Sequence, residues 1–316
     1  MRIITPVAIH AMLIILIACT YAPEATPAEN GTIKTCFSMQ EDCETRLAEL
    51  ISSSAHVKTA LYDLDAPRII TALKDKDTDL LIDEDNYEDY GQEIKSPGLM
   101  HNKFFILHNA SGNDYVITGS TNPTRNGFLK NDNNMIIINS LTLANNYEEE
   151  FYELKEGRAS RKTTYTRIIF NGHELENYFC PEDNCEDEVL EELEAANESV
   201  HFMTFSFTSD NIGKLLMKRK EELDIKGVFD KSQSASNREY SEYPWMKEAG
   251  MDVKLSDGKG KMHHKVFIID NKTVITGSYN PTASGNAKND ENMLVIREPA
   301  IVEKYLKEFE RVWSES

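Results

Sequence analysis

"KMHHKVFIID", residues 261–270, sets two adjacent histidines ahead of a short apolar run, and "LMHNKFFILH", residues 99–108, nearly repeats it. A β-strand points alternate side chains to opposite faces. Read as a strand, residues 263–270 carry His263, Lys265, Phe267 and Ile269 on one face, and His264, Val266, Ile268 and Asp270 on the other. The earlier copy obeys the same parity, with His101 and Lys103 together and His108 on the far face. An imidazole and an ammonium on one face can grip one anion jointly. His101, Lys103, His263 and Lys265 are therefore the reactive candidates, and His264 is expected to pack or support.

The likeness continues outward, and it makes the chain a duplication. "YVITGSTNPTRNGFLKNDNNMIII" (115–138) matches "TVITGSYNPTASGNAKNDENMLVI" (273–296) almost position for position. Each copy holds Gly-Ser-x-Asn: Gly119, Ser120 and Asn122, then Gly277, Ser278 and Asn280. Glycine permits close backbone approach, while Ser and Asn offer short hydrogen-bonding groups. Upstream, "CFSMQEDCETRLAELI" (36–51) parallels "CPEDNCEDEVLEEL" (180–193), each a cysteine pair leading into an acidic helical pattern. Strand-like runs follow at 56–64 and 199–207, and each copy closes on a helical segment, "TLANNYEEEFYEL" and "AIVEKYLKEFERVW".

Strands alternating with helices predict an α/β fold. Two halves are expected, 33–158 and 179–316, with 159–178 as linker and edge segment. Taken singly, a histidine in a strand, a lysine or a Gly-Ser turn is ordinary structure. Two copies of the whole set, at kept spacing, are not explained by a duplicated structural hairpin.

The residues 263–280 resemble the phospholipase D superfamily, whose signature is H-x-K-x4-D followed after six residues by G-S-x-N. His263, Lys265, Asp270, Gly277, Ser278 and Asn280 fit it, and Glu291 in "NDEN" (289–292) matches the acidic continuation. The first copy departs in three places. His108 stands at the aspartate position, the hairpin loop is longer, and Asn133 stands where the second copy has Glu291. Asp114 in that longer loop is a candidate substitute for the aspartate.

The resemblance implies two tandem phospholipase D-like halves, each a mixed β-sheet flanked by helices, related by a pseudo-twofold with the site at their interface. It further implies metal-independent phosphodiester hydrolysis with no cofactor. One imidazole attacks phosphorus to form a phosphohistidine, and the other protonates the leaving alcohol. His101 is assigned as nucleophile and His263 as acid/base; the reverse assignment stays open. The lysines and Asn122 and Asn280 would hold the phosphate, with Ser120, Ser278, Asp270 and Glu291 binding or supporting. By strand parity Asp270 faces away from the phosphate and should orient or support, not attack.

Family members act on phospholipids or on nucleic acids. The chain has 34 Lys+Arg against 53 Asp+Glu, a formal net charge of −19, which disfavours stable duplex DNA binding. A phospholipid headgroup is the first expectation, a non-specific secreted nuclease the second. An inactive phosphate-binding module is a third reading, from the altered first motif. The acidic run 75–90 reads as a solvated face.

The N-terminus reads as a targeting segment. Arg2 precedes an apolar stretch from Val7 to Ala18, too short for a comfortable membrane span. "LIAC" (16–19) resembles a lipobox, with Cys19 as the lipidated residue, after a signal peptide of 1–18 and before a tether of 19–32. Export and a membrane surface as partner are therefore expected. Cys36 and Cys43, and Cys180 and Cys185, occupy the same place in each repeat, so local disulfides are favoured over a four-cysteine zinc site.

Overall fold

The computed structural model describes residues 25–157 and 161–316; the segment expected to be a signal peptide and Cys19, expected to be lipidated, lie outside them. Two β-sheets carry the fold. The first has seven strands in the spatial order Ile33–Phe37, Asn134–Ile138, Asn113–Gly119, Lys103–Ala110, His56–Leu61, Asp77–Asp83, Gln92–Ile94. Seven strands of the second repeat that order: His173–Cys180, Glu291–Ile296, Thr273–Gly277, Lys265–Ile269, Ser199–Thr204, Asp224–Phe229, Asp252–Leu255. Both sheets are mixed, as expected. His56–Leu61 runs parallel to Asp77–Asp83 and antiparallel to Lys103–Ala110, and Ser199–Thr204 has the corresponding pair of neighbours.

The second sheet has two further strands beyond His173–Cys180: Arg167–Phe170 and, parallel to it, Ala28–Glu29. The stretch expected as a tether (19–32) thus contributes an edge strand to the second half's sheet before the chain enters the first. The stretch read as linker and edge contains Arg167–Phe170 and most of His173–Cys180. The latter is an interior strand between Arg167–Phe170 and Glu291–Ile296, so the structural repeat begins there.

The predicted strand over 263–270 spans only Lys265–Ile269, and its counterpart starts at Lys103. Both reactive histidines therefore precede their strands. The acidic run 75–90 is also not a solvated face throughout. It contains the strand Asp77–Asp83, whose last residue is buried.

Each half's first strand ends at a disulfide that fastens it to the next helix, Cys36–Cys43 into Cys43–Ser53 and Cys180–Cys185 into Cys185–Ala195. Asp42 caps the first of these helices by accepting the Thr45 N–H at 3.0 Å. Outer cores form between each sheet and its own helices. The central core is shared: Phe104, Ile106 and Ile136 of the first sheet meet Val266, Ile268 and Leu294 of the second, with Tyr147 and Phe151 of Leu141–Glu156 and Tyr305 and Phe309 of Pro299–Glu315. Burial of this common face makes the halves one hydrophobic unit.

Candidate active site

The two halves exchange backbone hydrogen bonds at the histidines. The His101 N–H donates to the Asp290 carbonyl and the His263 N–H to the Asp132 carbonyl, both at 2.9 Å. One residue earlier, Met100 N–H donates to Asp83 Oδ2 (2.7 Å) and Met262 N–H to Asp230 Oδ2 (2.9 Å). Each histidine is thus fixed by its own half's aspartate on one side and by the opposite half's carbonyl on the other.

Side chains cross the interface in the same way. His101 Nδ1 lies 2.7 Å from Glu291 Oε2 of the second half. His263 Nδ1 lies 2.8 Å from Asn133 Oδ1 and 3.1 Å from the Ser120 carbonyl, both of the first half. Asn133 Nδ2 donates to the Gly127 carbonyl (3.0 Å), which turns its oxygen toward the imidazole. Both histidines therefore donate from Nδ1 and present Nε2 as the reactive nitrogen, that of His263 lying 3.3 Å from Lys265 Nζ. The acceptor is a carboxylate for His101 and neutral for His263. That asymmetry is the first copy's Asn133, acting on the second copy's histidine.

Lys103 Nζ donates to the His101 carbonyl (2.5 Å) and lies over the Tyr62 ring; Lys265 Nζ donates to the His263 carbonyl (2.9 Å) and lies over Phe205. Tyr62 and Phe205 also pack on His101 and His263, with ring centroids 4.9 and 4.4 Å apart. All four reactive side chains are buried. Burial pulls His101 down to about 4 and Lys103 down to about 7, against the pull of Glu291. Burial and then neighbouring lysines hold His263 well below its ordinary value, and burial followed by Lys103 does the same to Lys265. Such a cluster of suppressed cations is one that an entering anion would recharge.

Ser120 and Ser278 hold backbone: their hydroxyls accept the N–H groups of Asn134 (3.0 Å) and Asn292 (2.9 Å). A Cβ at Gly119 or Gly277 would come within 2.4 or 2.2 Å of the carbonyl oxygens of those same asparagines, so only glycine fits there. Among the described residues, Asn122 and Asn280 each leave a buried side-chain oxygen without a partner, and Asn122 lines a cleft of about 680 Å³ that also reaches His263.

Two expected site residues lie elsewhere. Asp270 sits at the opposite end of its strand from His263. There it accepts N–H groups of Asn197, Glu198 and Ser199 at 2.7–3.1 Å and holds the turn into the strand Ser199–Thr204. It therefore supports the fold and does not orient the histidine. Its counterpart His108 stacks near His56 (5.9 Å) and lies 3.2 Å from Glu148 and 3.7 Å from Asp114. Asp114 accepts the Asn109 N–H within its own loop, so it does not take over the Asp270 bonds.

His264 is fully buried. Its Nδ1 accepts from Asn134 Nδ2 and its Nε2 donates to Glu308, both at 3.0 Å. It belongs to a network that sequence reasoning missed. Asn134 Oδ1 of the first half accepts from Thr276 and Tyr305 of the second (both 3.0 Å); Asn292 Oδ1 of the second accepts from Thr118 (2.7 Å) and Tyr147 (3.2 Å) of the first. Asn292 Nδ2 donates to Asn102, as Asn134 does to His264. The available signal was the matching of Tyr147 with Tyr305 and Glu150 with Glu308 in the two closing helices.

A family model described as "Cardiolipin synthase, PLD-like domain" matches residues 32–155 and again 189–313. A mitochondrial cardiolipin hydrolase of Xenopus laevis is 31% identical over 134 residues, 42% of this chain and 63% of that protein. A phospholipase D of Rickettsia prowazekii is 27% identical over 173 residues, 54% of this chain and 77% of that one. The crystal structure of phosphatidylserine synthase from Haemophilus influenzae Rd KW20 shares the fold, with a TM-score of 0.68 at 11% identity over 88% of this chain and 85% of that one. The chain spans between 50% and 63% of the length of four cardiolipin hydrolases among its relatives.

Proposed function

Because the chain belongs to the phospholipase D-like family, we propose that it is a metal-independent phosphodiesterase that hydrolyses phospholipid headgroups through a phosphohistidine. The observation that carries this reading is the meeting of two His–Lys pairs, one from each half, with each Nδ1 held across the interface.

His101 Nε2 attacks phosphorus, and the bond to the leaving oxygen breaks as His263 Nε2–H delivers its proton there. His263 then takes a proton from water, whose oxygen attacks phosphorus. The P–N bond breaks, releasing a phosphate monoester and free His101. Glu291 favours His101 as nucleophile, because its carboxylate offsets the positive charge that the imidazole gains on bonding to phosphorus. Asn133 offers His263 no anion, which makes protonated His263 a readier proton donor. Lys103, Lys265, Asn122 and Asn280 would neutralise the phosphate oxygens.

The names of the matched relatives and the acidic net charge support phospholipid as substrate. The two disulfides support export to an oxidising compartment, and the lipobox-like "LIAC" (16–19) supports attachment to a membrane surface through Cys19. Among the described residues no helix is long and apolar enough to cross a membrane.

Rapid quenching with a phosphatidyl substrate labelled in its phosphate tests the route. Acid-labile label on His101 is expected. Label on His263 would reverse the two roles, and unlabelled enzyme during rapid turnover would overturn the covalent route.

A further inference from the structure

The duplication supplies an internal control for the outer parts of the fold. The first half joins Asp77–Asp83 to Gln92–Ile94 by residues 84–91, with one short helical turn, Glu84–Asn86. At the same place the second half joins Asp224–Phe229 to Asp252–Leu255 by residues 230–251, which form the helices Lys231–Ser236 and Glu242–Glu248. The sheet does not need the second of these helices, because its counterpart closes without one. What that helix adds is a groove of about 490 Å³ against the helix Asp210–Arg219.

Glu242 lines the groove although it is only 3% exposed, and among the described residues its carboxyl has no hydrogen bond or ion pair. Room for that carboxyl is made at Gly213, where a Cβ would stand 2.0 Å from Glu242 Oε2. Glycine is disfavoured inside a helix, so packing of the helix alone does not call for it. Burial, then Asp210, pushes the Glu242 carboxyl up to about 7, against the pull of Lys214. Asp210 itself is engaged by Lys214 at 2.7 Å. Glu248 also lines the groove, is exposed, and among the described residues has no cation within ion-pair distance.

About 9 Å of helical rise separates Glu242 from Glu248, at 1.5 Å per residue. Between them stands Trp245, 54% exposed, and Met217 and Ala249 add apolar lining. A buried carboxyl without a donor is unfavourable, and an indole face attracts an ammonium. We propose that this groove binds a linear alkane with an ammonium at each end, a diamine or polyamine. One ammonium meets Glu242, the other meets Glu248, and the stem crosses Trp245. Among the described residues the groove shares no lining with the cleft at His263, so binding here is tested apart from hydrolysis.

Hexamethylenediamine, n-hexylamine and a trilysine peptide are titrated into the full chain at about 0.15 M salt, which screens general attraction to an acidic protein. Calorimetry gives affinity and Trp245 emission reports the place, with Trp245→Phe supplying the background of Trp313, the chain's other tryptophan. The diamine should bind saturably, shift Trp245 emission, and bind at least about tenfold tighter than the monoamine, the scale of one charge-assisted contact. Glu242→Gln should weaken it at least about tenfold, and Glu248→Gln about two- to fivefold, as for an exposed pair. Wild-type affinity should increase as pH rises through about 7, where Glu242 ionises, and Glu242→Gln should remove that dependence. Melting curves check that each variant is folded.

Absence of saturable binding, equal affinity for the monoamine, or a diamine affinity unmoved in folded Glu242→Gln overturns the site. A wild-type affinity independent of pH overturns it too, because the ligand would then rest only on acids that are already ionised. Preference for trilysine over the diamine assigns the groove to a basic peptide and overturns the small-molecule occupant.

Discussion

Glu291 of the second half holds His101 of the first by a 2.7 Å contact between Oε2 and Nδ1. The reciprocal bond runs from His263 to Asn133, so a duplicated site carries one charged and one neutral orienting group. Glu291→Gln keeps the shape and removes the charge that supports the imidazole on phosphorus. Steady-state kinetics should show kcat lower by at least about 10²-fold, with phosphoenzyme formation as the slowed step. An unchanged rate of labelling would show that the carboxylate is only structural.

Asn133→Glu places a carboxylate beside His263 and should raise its proton affinity. General-acid catalysis needs protonated His263, so activity falls as pH rises through its pKa. The variant's alkaline limb should move to higher pH by roughly one unit, the scale of a nearby opposite charge. A pH profile superimposable on the wild type would contradict the assignment of His263 as acid.

His263→Ala should abolish turnover. His264→Ala should remain active when folded, but it leaves Asn134 and Glu308 short of a partner in a buried network and should lose about 2–3 kcal/mol of stability. His264→Asn, the residue type at Asn102 of the first half, should recover part of that loss in denaturant titrations. A folded His264→Ala as inactive as His263→Ala would refute the division of roles.

Restoring the family's aspartate in the first copy should do little. His108→Asp changes a group at the far end of its strand from His101, and kcat should stay within about twofold of wild type. Asp270→Ala should lower the melting temperature, because three backbone N–H donors lose their carboxylate acceptor, with kcat similarly unmoved. A large kcat effect from either would place the motif's aspartate back at the chemistry.

The His101 pKa falls from 6.5 to about 4 through burial. Between those values the unfolded chain binds more protons at this site than the folded one, so stability rises with pH there. The contribution is present above roughly pH 6.5 and is lost as pH falls toward 4. Urea titrations of wild type and His101→Phe should diverge over that window, with the variant's stability less dependent on pH. Parallel curves would show that His101 is not buried in neutral form.

The duplication, the α/β class, the partition into two halves and the pairing of His with Lys were legible in the chain, because repeats and strand parity are local, periodic properties. Strand parity also separated His263 from His264, although both stand between the bridge at Met262 and the strand that begins at Lys265. Which residue answers which histidine was not legible. Glu291 and Asn133 each act on the opposite half, across 190 and 130 residues of sequence, and no local pattern encodes a contact formed by packing two sheets around a shared core. Asp270 shows the same limit from the other side. The motif placed it near the histidine in sequence, but a strand of five residues carries it to the opposite end of the sheet, where three backbone N–H groups need it. The chain by itself determined which groups are present and which way they alternate. Tertiary structure decided their partners, because hydrogen bonds and desolvation are set by distance in space.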